Sequence, residues 1–290
     1  MMKKKKAVFV CCARNSAPVL GAVLNNIARI SSLFGASAVL ILENDSRDTT
    51  REVIAAWCEG QPNAYSVTVR GLSDNPVRTL CLASVRNLAL DAVREKFPAF
   101  DYLFMVDGDE VNAGEIDLES VSRAMDYLAE SPDRAGVFAN SGGAYFDLWA
   151  LRHPELCPGD VWEELADYVI AHRVSDAQAY EHTLAKRVFT LAGDAPPLEV
   201  DSAFGGLGIY KMSHVLDSAA RYAGAKMKAD LGWQVCEHVA FHAGLRAEGG
   251  RLFVLPWLVN CRTADAVFPA SAWRSFLFHP KAPGVPAFAP

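Results

Sequence analysis

The run Tyr102-Leu103-Phe104-Met105-Val106-Asp107-Gly108-Asp109-Glu110 sets five apolar residues directly before three acids, with only a glycine between them. Two carboxylates at i and i+2 around a small residue suit a hard divalent cation held beside a diphosphate, because such ions take oxygen ligands. An acidic turn is the plainer account of the same letters, since Asp-Gly is ordinary turn chemistry. More acids stand in Glu43-Asn44-Asp45-Ser46-Arg47-Asp48-Thr49-Thr50, where carboxylates can accept from a nucleobase edge or ribose hydroxyls. Glu43 or Asp45 is expected to face the ligand, and Asp48 to cap the helix that follows. Arg86-Asn87, just ahead of the acidic run, offers a guanidinium to a phosphate or to one of those acids. The segment Cys12-Ala13-Arg14-Asn15-Ser16-Ala17-Pro18 has neither GxGxxG nor a P-loop lysine. That argues against a dinucleotide site, a P-loop phosphate cradle and the glycine-rich loop of a sugar nucleotidyltransferase.

Strand ends must position these groups. Ala7–Ala13, Ala38–Leu42, Ala64–Arg70 and Tyr102–Val106 read as strands, the second and fourth as apolar runs buried on both faces. Between them, Ala17–Leu33, Thr49–Cys58 and Leu80–Phe97 carry helical spacing. Strands alternating with helices of these lengths predict an α/β fold with a mainly parallel sheet. Acids at the carboxyl ends of such strands lie where open α/β sheets bind ligands. The second half is less regular. A helix is expected at Leu118–Ala129, a strand at Gly136–Asn140 and a helix at Trp162–His172, with a proline-rich tail from Pro280.

The 290 residues are 51% hydrophobic and 21% charged, enough for one large domain or two closely joined halves. A net charge of −6 excludes a broad nucleic-acid footprint. Seven scattered cysteines with no CxxC argue against a disulfide framework or a structural zinc site, and point to reduced thiols in the cytoplasm. The apolar stretch after Lys3–Lys6 is too short to span a membrane. Those lysines would permit peripheral contact with the cytoplasmic face of the inner membrane, although an exposed N-terminus is the simpler reading.

Taken in order, Ala13-Arg14-Asn15, Glu43-Asn44-Asp45-Ser46-x-Asp48-x-Thr50, Arg86-Asn87 and Asp107-Gly108-Asp109 resemble the GT-A glycosyltransferases, which use nucleotide-activated sugars. Asp107-Gly108-Asp109 looks like that superfamily's DxD motif, and the resemblance covers roughly residues 7 to 112. It implies a Rossmann-like, mostly parallel sheet flanked by helices, with an irregular α+β acceptor half. Residues 1–135 would form the donor-binding half and 136–290 the acceptor-binding and catalytic half of one continuous domain. Asp45 would contact the base and Asp107 the ribose or donor sugar. Asp109 would hold Mn2+ or Mg2+ bridging the diphosphate, with Arg14, Glu43 and Arg86 also on the donor side.

The second half is more loosely similar to fungal capsule α-mannosyltransferases and their bacterial relatives, through Tyr145–Arg152, Phe204–Tyr210 and Cys236–His242. Tyr145, Phe146 and Trp149 offer faces for sugar stacking, or a core aromatic cluster. Asp147 and Arg152 offer hydroxyl contacts. Gly205 and Gly206 suit close backbone approach to an acceptor, or a bulged strand. In inverting relatives an acidic pair opens a helix at this place. Glu237 keeps the first acid here, as catalytic base or as an acceptor contact, while His238 replaces the second. His238 and His242, four residues apart, would share a helix face, so His238 is a candidate third metal ligand. His279 is its rival, with Lys281 beside the diphosphate.

The expected function is metal-dependent transfer of a hexosyl unit from a nucleotide sugar to a hydroxyl of a glycan or lipid-linked acceptor. The capsule-enzyme resemblance tilts the donor toward GDP-mannose over UDP-sugars, and the outcome toward retention. The alternatives are a non-catalytic glycan- or nucleotide-binding module on the same fold and, more distantly, a sugar nucleotidyltransferase.

Overall fold

The computed structural model describes residues 4–261 and 269–280. The chain runs β1 (Lys6–Ala13), α1 (Ala17–Ser31), β2 (Ala36–Asn44), α2 (Thr50–Glu59), β3 (Ala64–Val69), α3 (Arg78–Lys96) and β4 (Tyr102–Asp107). It continues with α4 (Leu118–Ala129), β5 (Arg134–Ser141), α5 (Val161–His172), α6 (Asp176–His182), β6 (Leu198–Val200), β7 (Leu207–Lys211) and α7 (Met212–Asp217). The hairpin β8 (Ala225–Lys228) and β9 (Leu231–Gln234), α8 (His238–Ala247), β10 (Arg251–Cys261) and β11 (Leu277–Phe278) complete it.

Eight strands form one sheet in the order β3-β2-β1-β4-β7-β5-β10-β6, and β11-β9-β8 form a small second sheet. Strands β3, β2, β1 and β4 are mutually parallel, as alternating helices require, and β5 is parallel to β10. The sheet is mostly parallel, as expected, with two antiparallel strands that the sequence did not reveal. β7 enters antiparallel between β4 and β5, and β6 pairs antiparallel with β10 at the edge. β7 lay hidden because Gly205-Gly206-Leu207-Gly208 reads as a loop rather than as a strand start. β10 shifts register against β5 between Val254 and Val259, around Pro256, which has no amide to donate.

Successive side chains of a strand point to opposite faces, so the sheet divides the interior in two. Val8, Val10, Leu103 and Met105 face a core shared with α3, α5 and α8. Phe9, Cys11, Phe104 and Val106 face the core built on α1 and α4. Two register pairs, Ala13 with Glu43 and Cys12 with Asp107, bring the carboxyl ends of β1, β2 and β4 to one edge. The loops following β1 and β2 are stitched together there. Asn15 N donates to Ser46 Oγ at 3.0 Å, Arg47 N to Asn15 Oδ1 at 2.8 Å, and Ser16 N to Thr50 Oγ1 at 2.8 Å. Asp48, the expected cap, stands one place before Thr49, the residue that flanks α2. Its carboxylate still accepts from Thr50 N at 3.1 Å, and its other oxygen from Ala17 N at 3.2 Å. Asp48 thereby ties the starts of two helices. Among the described residues no helix is long and apolar enough to cross a membrane.

Candidate active site

A cleft of about 490 Å³ opens where β4, β7 and α8 meet, large enough for a drug-sized molecule. Its floor is a buried ion cluster. Arg86, on the α3 face directed at the sheet, is 3% exposed. Its Nη2 donates to Asp107 Oδ1 at 2.8 Å and its Nε lies 2.9 Å from Glu237 Oε1. Glu237 is equally buried and immediately precedes α8. Burial alone would lower the Arg86 pKa, but the charges of Asp107 and Glu237 outweigh it and hold the guanidinium firmly protonated. The Phe204 ring lies 5.0 Å from the guanidinium carbon, a further stabilising contact for a desolvated cation. One arginine therefore fixes two carboxylates from distant parts of the chain, the expected acid of the Asp-Gly-Asp run and the acid at the α8 entrance.

Asp109 sits at the cleft lip and keeps solvent access, yet protein crowds it. Desolvation first, then the Asp107 charge, raise its carboxyl to about 6, against one amide hydrogen bond from Val111 at 3.2 Å. Among the described residues, Asp107 Oδ2 and Asp109 Oδ2 have no hydrogen-bond partner. Two oxygens on adjacent acids whose mutual repulsion a cation would relieve fit a divalent ion. No third protein ligand joins them, for the described residues contain no group of three His, Cys, Asp or Glu side chains able to hold a metal. Neither His238 nor His279 forms such a group with the two acids among the described residues. His238 stacks on Phe204 with ring centroids 3.7 Å apart, and burial, then the Arg86 charge, keep its imidazole neutral. Neither of its ring nitrogens has a hydrogen-bond partner among the described residues. His242, its neighbour four residues on, is a core histidine bonded to Ser202 Oγ at 2.9 Å and Tyr210 Oη at 2.8 Å. His279 is exposed and does not line the cleft, and Lys281 lies outside the described residues.

The glycines next to the site are there for close packing. Gly205 and Gly206 have φ of +64° and +80°, the left-handed region that glycine enters without penalty. A Cβ on Gly205 would come within 2.6 Å of the Ala139 carbonyl. Gly108 has no side chain because a Cβ would stand 2.9 Å from both Ala13 Cβ and the Cys12 carbonyl. Gly206 O accepts from Asp107 N at 2.9 Å, and Gly205 N donates to Asp147 Oδ2 at 2.9 Å. Two buried amides that the sequence did not single out brace this turn. Asn112 Nδ2 donates to Asp107 O at 2.9 Å and Gly206 O at 2.8 Å, while Asn260 Nδ2 reaches Gly205 O at 2.7 Å. Their only sequence signal was the presence of asparagine among apolar neighbours.

Asp147, Trp149, Tyr145 and Gly206 line the cleft, and all four are also committed to structural contacts. Burial raises the Asp147 carboxyl to about 6 despite the amides of Gly205 and Ala150. Tyr145 is 1% exposed and stacks on Phe189 and Phe146, so a free stacking face is not what it presents. Trp149 stacks on Phe276 at 4.6 Å and donates Nε1 to Asp160 at 3.0 Å. Arg152, expected to contact hydroxyls, instead binds Asp160 at 3.2 Å and the carbonyls of Trp149 and Leu151.

The expected base-binding residues stand apart from this cleft, at the β1–β2 edge. Glu43 serves as an interior brace in this structure. It is 2% exposed, and its Oε1 accepts from Ser46 N at 2.6 Å. Asp45, in left-handed backbone (φ 49°), accepts from Ser73 N at 2.7 Å and Gly71 N at 2.9 Å. Those amides, Ser73 first, hold its carboxyl below the usual aspartate range. Arg14 is exposed at the same edge. It and Asp45 both lie near enough to Cys81 to act on its thiol, in opposite senses, while burial pushes that thiol up.

No protein-family model and no curated protein sequence matches the chain. Solved structures do. Mannosyltransferase PcManGT from Pyrobaculum calidifontis, in complex with GDP-Man and Mn2+, is similar with a TM-score of 0.51 at 16% identity, over 93% of this chain and 60% of that one. Weaker likenesses extend to S. aureus TarS with UDP-GlcNAc (0.49, 15% identity, 92% of this chain and 60% of that one). M. tuberculosis glucosyl-3-phosphoglycerate synthase with UDP follows (0.45, 13% identity, 91% and 73%). The chain thus spans about 60% of the length of the mannosyltransferase it matches. At that identity the likeness is one of fold, and the chain is built on the GT-A glycosyltransferase fold.

Proposed function

We propose that the chain is a metal-dependent glycosyltransferase that moves a hexosyl unit from a nucleotide-diphosphate sugar to a hydroxyl acceptor. The observation that carries this reading is the buried Arg86, tied at once to Asp107 at the end of β4 and to Glu237 at the start of α8. A charge cluster this deep costs desolvation energy, and on the floor of the main cleft that cost has a functional explanation. Asp107 and Asp109 would hold Mn2+ or Mg2+, which would supply stabilisation for negative charge growing on the departing nucleoside diphosphate. Arg86 orients Asp107 toward the donor and Glu237 toward the opposite side, where a hydroxyl acceptor enters. Because Glu237 already shares an oxygen with Arg86, we assign it to binding the acceptor or polarising the donor, in keeping with retention. Arg14 and Asp45 flank the place proposed for the base, residues 1–135 acting as donor half and 136–290 as acceptor half. The mannosyltransferase likeness favours GDP-mannose over UDP-sugars. The acceptor is a glycan or a lipid-linked hydroxyl compound, met in the cytoplasm or at the inner membrane surface.

Release of free sugar from a panel of GDP- and UDP-sugars with Mn2+ tests the reading, since donor hydrolysis needs no acceptor. Turnover of one donor, lost in Asp109→Ala, is expected. Nucleotide binding without turnover across the panel would favour a binding module instead. Pyrophosphate release from a nucleoside triphosphate and a sugar phosphate would favour nucleotidyl transfer.

A further inference from the structure

Among the described residues, five carboxyl groups and two guanidinium groups line the cleft. One guanidinium, that of Arg86, is spent on Asp107 and Glu237. The other belongs to Arg78, which is exposed and has no hydrogen bond or ion pair among the described residues. Arg78, Leu82 and Arg86 recur every fourth residue, so they share one face of α3, and all three line the cleft. At 1.5 Å of rise per residue, Arg78 stands about 12 Å from Arg86 along the helix, toward its amino end. That end adjoins the edge proposed for the base. Asp45 accepts from Gly71 N and Ser73 N, and Cys81 Sγ donates to Leu72 O at 3.0 Å, so the loop entering α3 is fixed to the end of β2. Arg78 and Arg14 both lie near enough to Cys81 to act on its thiol in the same sense. The base edge and the cleft therefore meet at Arg78.

A nucleotide with its base at that edge and its sugar in the cleft lays its phosphates past this residue. An anion entering a cleft where carboxyl groups outnumber guanidinium groups is repelled unless positive charge meets it. A cation on Asp107 and Asp109 would supply one such charge, and the unpaired Arg78 supplies another. Its planar fork of N–H groups also matches phosphate oxygens in pairs. Resting on the glycosyl-transfer reading above, we propose that Arg78 is a second anchor for the donor's diphosphate, binding it at the junction of the base edge and the cleft.

The probes are GDP, UDP and inorganic pyrophosphate, each with Mg2+, titrated by calorimetry into the full chain and its Arg78→Gln and Arg78→Lys variants. Losing a hydrogen bond between charged groups should weaken pyrophosphate and the preferred nucleoside diphosphate alike in Arg78→Gln, about 10- to 100-fold. Arg78→Lys keeps the charge without the fork and should recover part of that loss. Without ligand, both variants should melt with the parent, because Arg78 is exposed and unpaired. A lower unliganded melting temperature would point to a structural role and count against the proposal. Unchanged affinity for every probe overturns it. So does a loss for the nucleotide without one for pyrophosphate, which would move Arg78 to the base or ribose. If pyrophosphate binds through Arg78 but no nucleotide binds, the anchor stands and the transfer reading falls. If a nucleotide binds with metal and Arg78→Gln leaves its affinity intact, the transfer reading stands and the anchor falls.

Discussion

Removing the Arg86 charge while keeping its bulk, as in Arg86→Met, should be among the most damaging single changes in this chain. The side chain is 3% exposed and its two carboxylate partners are 28% and 4% exposed, so at least Glu237 would be left as an uncompensated buried charge. Breaking a buried pair from one side costs about 3–5 kcal/mol. For a chain of this size about 1 kcal/mol moves the midpoint by roughly 2 °C, so the variant should melt about 6–10 °C lower. Urea unfolding of four proteins, the parent, Arg86→Met, Glu237→Gln and the double variant, separates charge from packing. Neutralising Glu237 removes the stranded charge, so the double variant should recover about 1–3 kcal/mol relative to the sum of the singles. A loss under about 1 kcal/mol in Arg86→Met, or additive singles, would refute the claim that this arginine holds the two acids together.

Three further outcomes follow from the same geometry. The Asp109 carboxyl, raised to about 6 from an ordinary 3.8, stays protonated in the native state over a range where the unfolded chain has ionised. Its stabilising contribution is complete below pH 3.8 and is lost as pH rises to about 6, so Asp109→Asn should melt above the parent at pH 7.5 and not near pH 4. Saturating Mn2+ should reverse that order at pH 7.5 by stabilising only the parent, a comparison for scanning calorimetry. Tyr210→Phe strips the partner from His242 Nε2 and should cost about 1–3 kcal/mol in urea unfolding while leaving donor hydrolysis unchanged.

The β1 to β4 region was legible because its signals are local. Apolar runs such as Tyr102–Val106 are buried on both faces, and helices between them dictate parallel neighbours, so four parallel strands followed from pattern, though not their order in the sheet. The pairing of Arg86 with an acid of the Asp-Gly-Asp run was also within reach, since β4 follows α3 directly. Its second partner was not. Glu237 lies 151 residues along the chain, and only the folded topology brings α8 over α3. At Glu43 and Arg152 the structure spends polar groups on backbone and a neighbouring acid, which a sequence pattern does not reveal. Glu43 closes its own turn on Ser46, and Arg152 gathers two carbonyls and Asp160. β7 escaped notice because its entry is glycine-rich, and Asn112 and Asn260 because a buried amide leaves no periodic trace.

The central claim is that the carboxyl edge of β1, β2 and β4 binds a nucleoside diphosphate through a cation on Asp107 and Asp109. Thermal unfolding with GDP, UDP and CMP, each with and without Mn2+, tests it most directly. A ligand at a hundred times its Kd adds about 2.7 kcal/mol, here roughly 5 °C. The account predicts such a shift for one nucleoside diphosphate, dependent on Mn2+ and absent in Asp109→Ala. No shift with any nucleotide in the presence of metal, or an undiminished one in Asp109→Ala, would contradict it.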